Sequence, residues 1–392
     1  MIDVPVMMPE VDFGKDDLSN LHEILDQLRA QGPVSPVNFA GEKIWLINDY
    51  KTVKQVVGSD EYLSAPEANK VFLGQSMGNV IATMTGAQHR LNRAVVANVF
   101  FPKKMRELAD TMFAEEAVLQ AETLAGRGEV DLVADYTRRY TFNNITRLLG
   151  LPREDVAVLE DWADRIMYSF VDMDAAISAG REMGEYLLPI VAQRRNNSTG
   201  DVISLLLEAT VDGESLSDDE VLAFCRNLFP AAIDTSTNSL GSSLYQLLQR
   251  RDLLLLLEDE NERKVNSVID EMLRLETPLV MIPRRCIKQI ELGGYMINVG
   301  DDTRICITGA NTDPDEFENP HEFNADRKNK DMTFGHGEHF CLGTHMARRV
   351  LETGLTTLLK RFPEMALCED RTVEIIGGVL RGPKALWVRP NA

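Results

Sequence analysis

Phe334-Gly335-His336-Gly337-Glu338-His339-Phe340-Cys341-Leu342-Gly343 is the stretch on which the reading of this chain turns. Two glycines precede the cysteine, so the backbone can turn tightly and approach a bulky ligand. Apolar residues then recur at helical spacing, at Leu342, Met346, Val350 and Leu355. That pattern places Cys341 at a helix N-terminus, where the dipole and free amides favour a thiolate. A thiolate is the form in which cysteine ligates a metal. Two other readings are a buried cysteine in a glycine-rich turn and a zinc site. Against zinc, His336, His339 and Cys341 need not converge on an extended loop, and no second Cys/His cluster lies nearby.

Most of the chain carries helical periodicity. Leu18 to Ala30 is amphipathic, with Leu21, Ile24, Leu25 and Leu28 on one face. Segments near 104–126, 154–170 and 176–195 also read as helices. Lys43 to Asn48 reads as a short strand. The stretches 285–307 and 371–389 read as short strands joined by turns. The expected class is mainly α with minor β, an α+β chain.

One helix is much longer than the rest. Ser217-Asp218-Asp219-Glu220 forms a capping box, and apolar periodicity continues to about Leu248. At ~1.5 Å per residue the rod spans ~45–50 Å, enough to cross the protein. Pro230 sits inside it and removes one helical hydrogen bond, so a kink is expected. Ala231-Ala232-Ile233-Asp234-Thr235 follows directly. Small residues beside an acid–alcohol pair suggest a functional break; a core helix that tolerates a proline is the alternative.

Composition narrows the function. The 392 residues are 44% hydrophobic and 26% charged, ordinary for a globular protein. The most apolar run, Leu253 to Leu257, is far shorter than a membrane span. Met1-Ile2-Asp3-Val4-Pro5 has neither the basic nor the apolar region of a signal peptide. A net charge of −20 argues against nucleic acid and anionic membranes as partners. The five cysteines, Cys225, Cys286, Cys306, Cys341 and Cys368, are scattered without a CxxC pair, which suggests a reducing, cytoplasmic setting.

The ten-residue stretch resembles the haem-binding loop of the cytochromes P450, FGxGxHxCxG, at every fixed position. The resemblance covers most of the chain in the family's order. Glu271-Met272-Leu273-Arg274 is similar to the family's ExxR motif, and Arg327 in Phe323-Asn324-Ala325-Asp326-Arg327 to its third, locking member. The resemblance implies a single P450 domain over 1–392 with no fused reductase. It also implies haem b, held between the long kinked helix and the cysteine-loop helix, with Cys341 as the iron ligand. His89 and Arg93, an HxxxR pair on one helix face, Arg284 and His339 are implied partners of the haem propionates. Arg285 is the alternative to Arg284 by one register step.

The family's oxygen-activating stretch is similar to Ala231-Ala232-Ile233-Asp234-Thr235, with Ala232 where glycine is usual. Thr235 is then expected to hydrogen-bond and protonate oxygen, and Asp234 to relay protons from solvent. Segments implied to line the pocket are 72–85, 167–173, 228–232, 279–282 and 379–380. They are largely apolar, with Met167, Phe170, Val280, Met281, Ile282, Val379 and Leu380 among them and Arg381 nearby. The implied activity is insertion of oxygen from O2 into an apolar small molecule, such as a terpenoid, aromatic, steroid or fatty compound. Electrons would come from a separate ferredoxin docking on a basic patch, for which Arg90, Lys103, Lys104, Lys328, Lys330 and Arg348 are candidates. Non-hydroxylating P450-type chemistry and a haem-thiolate sensor remain as alternatives.

Overall fold

The computed structural model describes residues 11–257, 262–328 and 331–391. Its axis is the helix Asp218–Gln249, 32 residues and therefore ~48 Å long. The capping box forms: the Glu220 amide donates to Ser217 Oγ at 3.2 Å, and the Ser217 amide to Glu220 Oε2 at 2.9 Å. The helix runs unbroken through Pro230, so the proline removes one hydrogen bond and not the rod. Helices Arg138–Leu148, Met173–Asn196 and Thr344–Arg361 pack around it. Their contact is close at Gly354, where an added Cβ would lie 2.8 Å from the Tyr140 ring. Tyr136 and Tyr140 tie the same helices by donating to the carbonyls of Gly354 and Val350.

The strands form a lesser layer. The largest sheet runs Val34–Phe39, Glu42–Ile47, Asp302–Cys306, Met281–Cys286, Leu63–Ser64. Only the pairing of Glu42–Ile47 with Asp302–Cys306 is parallel. One face carries Trp45, Ile47, Cys286 and Ile305; the other carries Phe39, Leu46, Met281 and Cys306. The fold is thus α+β, as the periodicity indicates.

Several boundaries differ from the sequence reading. The helix expected over 104–126 is Pro102–Leu108, a π turn Ala109–Phe113, and Ala114–Glu122. The helix expected to reach 170 ends at Met167, and the Val171 amide closes a turn on the Tyr168 carbonyl at 2.8 Å. The next helix, Met173–Asn196, starts earlier than 176 because Asp172 caps it, accepting from the Ala175 amide at 2.9 Å. The helix after the cysteine begins at Thr344, so Cys341 precedes its cap, Gly343, by two residues.

A buried charge network joins the sheet to the cysteine loop. Arg274, 0% exposed, donates Nε and Nη2 to Glu271 Oε2 and Oε1, both at 2.8 Å. Arg327 Nε donates to the same Oε1 at 3.1 Å. Arg274 Nη1 also donates to the carbonyls of Asn311 and Pro320, each at 2.7 Å. Asn311 Oδ1 accepts from the Met332 amide at 2.7 Å, at the entrance to the loop. Removing one partner of such a buried pair costs roughly 3–5 kcal/mol, because the other charge is stranded. Glu271→Ala is therefore expected to give little soluble haem-loaded protein. Normal haem content and melting temperature in that variant would show the network to be dispensable.

Candidate functional site

The cysteine loop is held by backbone turns. The Gly335 amide donates to the Met332 carbonyl at 2.8 Å, and the Cys341 amide to the Phe334 carbonyl at 2.9 Å. Gly337 has φ +74, and a Cβ there would lie 2.5 Å from the Gly58 carbonyl oxygen. Both facts require glycine. Cys341 keeps an exposed surface, yet enough chain stands around its sulfur that burial pushes the thiol pKa up. The Gly343 amide, Thr344, Arg93 and Arg348 pull the other way and do not prevail. A group that is both accessible and desolvated lies in a recess, and its ionisation calls for a cation placed against the sulfur.

Around the cysteine loop the chain gathers four basic side chains from three segments, His89 with Arg93, Arg284, and His339. His89 and Arg93 lie on the helix Gly86–Val99. The rings of His89 and His339 are 5.0 Å apart, and Arg93 Nη2 donates to the Phe340 carbonyl. Arg284 is buried in its strand, while Arg285 turns outward to Asp302 at 2.9 Å. Burial draws the Arg284 pKa down to about 10. The fifth member is Asp60, which sequence reasoning missed. Its carboxylate meets His339 Nε2 at 2.6 Å and accepts from the Ala65 amide at 2.8 Å. Burial raises the Asp60 pKa, but the His339 and Ala65 hydrogen bonds and the charges of His339 and Arg284 lower it overall. No local pattern marks this residue, which lies 279 positions from His339.

This cluster has spare donors. His89 Nε2 and Arg284 Nε are buried without a partner. Burial, His339 and Arg93 hold the His89 pKa down. Unpaired buried donors beside two arginines suit an anionic ligand. A soft sulfur donor within the same recess suits iron. The donor set therefore fits haem: Cys341 offers a sulfur for the iron, and the unpartnered nitrogens of His89 and Arg284 offer donors that its carboxylates would need.

Comparison with known proteins accords with this fit. The family model for cytochrome P450 matches residues 175–384. A putative cytochrome P450, YjiB of Bacillus subtilis (strain 168), is 30% identical, with 91% of each chain covered. The chain belongs to the cytochrome P450 family. It is accordingly a haem-thiolate oxidoreductase of the monooxygenase class, with haem b as its cofactor. Two solved P450 structures superpose closely. PksS, the bacillaene polyketide synthase P450 of Bacillus subtilis 168, has TM-score 0.85 and 26% identity over 95% of this chain and 97% of its own. CYP109E1 of Bacillus megaterium, solved with testosterone, has TM-score 0.82 and 27% identity over 94% of this P450 and 99% of its own.

On the central helix of this P450, Asp234 and Thr235 leave on different sides. Asp234 is buried, and Arg138 Nη1 donates to its Oδ1 at 3.4 Å. Arg138 also holds Glu160 through Nε and both oxygens of Asp164 at 2.7 Å through Nη2. Burial, then the charge of Asp164, pushes the Asp234 pKa up to about 6, against the pull of Arg138. Thr235 is part-exposed and donates Oγ1 to the Ala231 carbonyl at 2.8 Å.

The expected pocket residues divide. Leu228 and Phe229 belong to the main core, and Val280 and Met281 to the sheet-face cluster, all buried. Ala231 is exposed, and Ala232, Leu279, Ile282, Met167, Phe170, Val379 and Leu380 are part-buried. Arg381 is committed to Glu276 at 3.0 Å and to the Leu18 carbonyl. Among the basic candidates, Arg90, Lys103, Lys104 and Lys328 are exposed, with Phe101 58% exposed beside the lysines. Arg348 is not free, since its Nε donates to Asp270 at 2.8 Å. Lys330 lies outside the described residues. No helix among the described residues is long and apolar enough to cross a membrane.

Cys341→Ala is expected to abolish the thiolate-type absorption band of the reduced carbon monoxide complex, even where haem is retained. Persistence of that band would assign the iron to another ligand.

Proposed function

We propose that this P450 activates dioxygen to oxidise an apolar small molecule, with Asp234 and Thr235 supplying the protons. The observation that carries the reading is the buried Asp234 beside an alcohol, joined through Arg138 to a carboxylate cluster. Bound haem supplies the iron at which dioxygen is activated. The chain supplies the rest. Cys341 provides the sulfur ligand, while His89, Arg93, Arg284 and His339 hold the anionic edge of the cofactor.

Asp164 and Glu160 are part-exposed and share Arg138 with Asp234, which makes a charged path from solvent to the helix interior. With a pKa of about 6, Asp234 takes up and gives back a proton near neutral pH. Because Asp234 and Thr235 face different ways, the proton crosses by rotation of the carboxyl or through a water. The Thr235 hydroxyl then turns from Ala231 to donate into the open side.

The part-buried apolar residues around Ala231 support an apolar substrate, as does the likeness to a P450 solved with testosterone. We assign electron supply to a separate acidic ferredoxin that docks on the face carrying Arg90, Lys103 and Lys104. Local positive charge on a chain of net charge −20 would steer such a partner. Neutralising Lys103 and Lys104 together should raise the apparent KM for ferredoxin and flatten its salt dependence. An unchanged salt response would place docking elsewhere.

Thr235→Ala should still bind substrate and consume reductant but release much of the oxygen as hydrogen peroxide. Asp234→Asn should instead slow turnover, by up to ~10²–10⁴-fold for loss of a positioned proton donor. Product and peroxide per reductant consumed distinguish the two. Full coupling and parental rate in both variants would remove the pair from the mechanism. Stability gives a second readout. Asp234 holds its proton more tightly in the folded chain, about 6 against 3.8. Stability therefore falls as pH rises through that interval. Asp234→Asn lacks this loss, so its melting temperature relative to the parent should be higher at pH ~8 than at pH ~5.

A further inference from the structure

We infer that the substrate of this P450 ends in a carboxylate, and that Arg304 is the cation that receives it. The inference rests on the monooxygenase reading above and specifies the substrate class of that site.

Arg304 occupies the middle of the strand Asp302–Cys306, in register with Leu46 on one side and Pro283 on the other. Strand alternation puts it on the same face as Cys306. That face is apolar: Phe39, Leu46, Val280, Met281 and Cys306 form it, with Phe170 and Val379 packed against them. An aliphatic residue would suit the position. Arg304 stands there instead, 4% exposed.

Of the four arginines buried among the described residues, Arg274 is neutralised by Glu271, Arg381 by Glu276, and Arg284 lies in the field of Asp60. Among the described residues, Arg304 has no carboxylate within ion-pair distance. Its neighbour Asp302 is turned to Arg285. Nη1 donates to the carbonyl of Thr303 at 3.1 Å, and the guanidinium otherwise lies against two rings, 4.3 Å from Phe39 and 4.9 Å from Phe72. Burial draws its pKa down to about 10, so it remains charged at neutral pH. A charge buried without a counter-charge costs stability and is retained where a ligand supplies the partner.

The surroundings connect this cation to the reaction side. Phe39 meets Phe170 at 5.8 Å between centroids, and Phe170 meets Tyr168 at 5.9 Å. Tyr168 follows directly on the helix Val156–Met167, which packs against the central helix. An aromatic row thus leads from Arg304 through Phe39 and Phe170 to the half-exposed Tyr168. An apolar body laid along it has its carboxylate at the guanidinium and its other end toward the central helix. The two rings fix the plane of the Arg304 fork, and a planar fork matches a carboxylate with two parallel hydrogen bonds. Oxidation would then fall on the substrate's end remote from the carboxylate.

The test is a spectral titration of the haem-loaded enzyme with dodecanoic, tetradecanoic and hexadecanoic acids and their methyl esters. A steroid carboxylic acid and its methyl ester form a second series. The parent should bind acids at least roughly tenfold more tightly than esters in one of the series, as a charge-assisted pair in a dry site implies. R304Q should lose that preference while binding the ester as the parent does, and R304K should keep part of it. Equal binding of acid and ester by the parent overturns the inference. So does a preference that survives R304Q, or an equal loss for acid and ester, which would make Arg304 a strut of the sheet. A normal thiolate-type carbon monoxide spectrum in each variant establishes that the site is intact. Acid-selective binding without oxidised product would leave the role of Arg304 standing and remove the monooxygenase reading.

Discussion

The Glu271 carboxylate is the constraint on which the rest of this structure depends. It neutralises two arginines from segments that meet only in the fold, Arg274 on its own helix and Arg327 shortly before the cysteine loop. Desolvating three charges would be unaffordable were their donors not otherwise occupied. They are occupied by backbone carbonyls of Asn311, Pro320 and Glu318. The energy that satisfies the charges thereby fixes the chain that leads into Met332 and Gly335. The position of Cys341 follows, since its amide hangs on the Phe334 carbonyl. A residue whose role is structural thus decides where the metal ligand sits.

The same balance governs the cofactor side in the opposite sense. There the chain leaves its groups short of partners. Cys341 is pushed towards the neutral thiol by burial, and His89 and Arg284 carry buried donors with nothing to donate to. Each deficit is one that an iron porphyrin with two carboxylates fills. Bound haem would for this reason add to the stability of the folded chain. Asp60 moderates the arrangement by holding His339 at 2.6 Å, so the cluster is not purely cationic before the cofactor arrives.

The legible parts of this protein are those whose cause is local. The glycine spacing before Cys341, the capping box at Ser217 and the apolar stripe of Leu21, Ile24, Leu25 and Leu28 each follow from neighbours a few residues apart, and they stand where the sequence puts them. The end of the helix at Met167 was not legible, because a turn closed by Val171 and a cap at Asp172 decide it. Asp60, Arg138 and Arg304 were not legible either. Their partners lie far away in sequence, and nothing in a single chain marks an aspartate in a Gly-Ser-Asp turn as the mate of a histidine in another element. Arg348 shows the converse. It reads as a surface charge, but Asp270 and the Phe334 ring engage it. Residues 167 to 173, expected to line the pocket, set Phe170 between Phe39 and Tyr168 in the fold.

The central helix links these themes. Consecutive residues on a helix diverge by about 100°, so Asp234 and Thr235 cannot share an environment. The structure uses the divergence. Asp234 lies in a desolvated, charged corner, where Arg138 holds it beside Asp164 and Glu160. Thr235 lies on the side where Ala231 opens the surface. An acid placed directly beside the alcohol would sit in the substrate's apolar space, where its charge would repel an anionic ligand. Setting it one residue back turns that charge about 100° away, next to Arg138, from where the proposed transfer would need only a rotation or a single water. With a pKa near 6 the carboxyl is readily protonated for that excursion, and a neutral carboxyl crosses an apolar boundary at far lower cost than a carboxylate. On the proposed reading, the elevated pKa is the physical condition that would allow one helix to keep a proton source and an apolar pocket on adjacent faces.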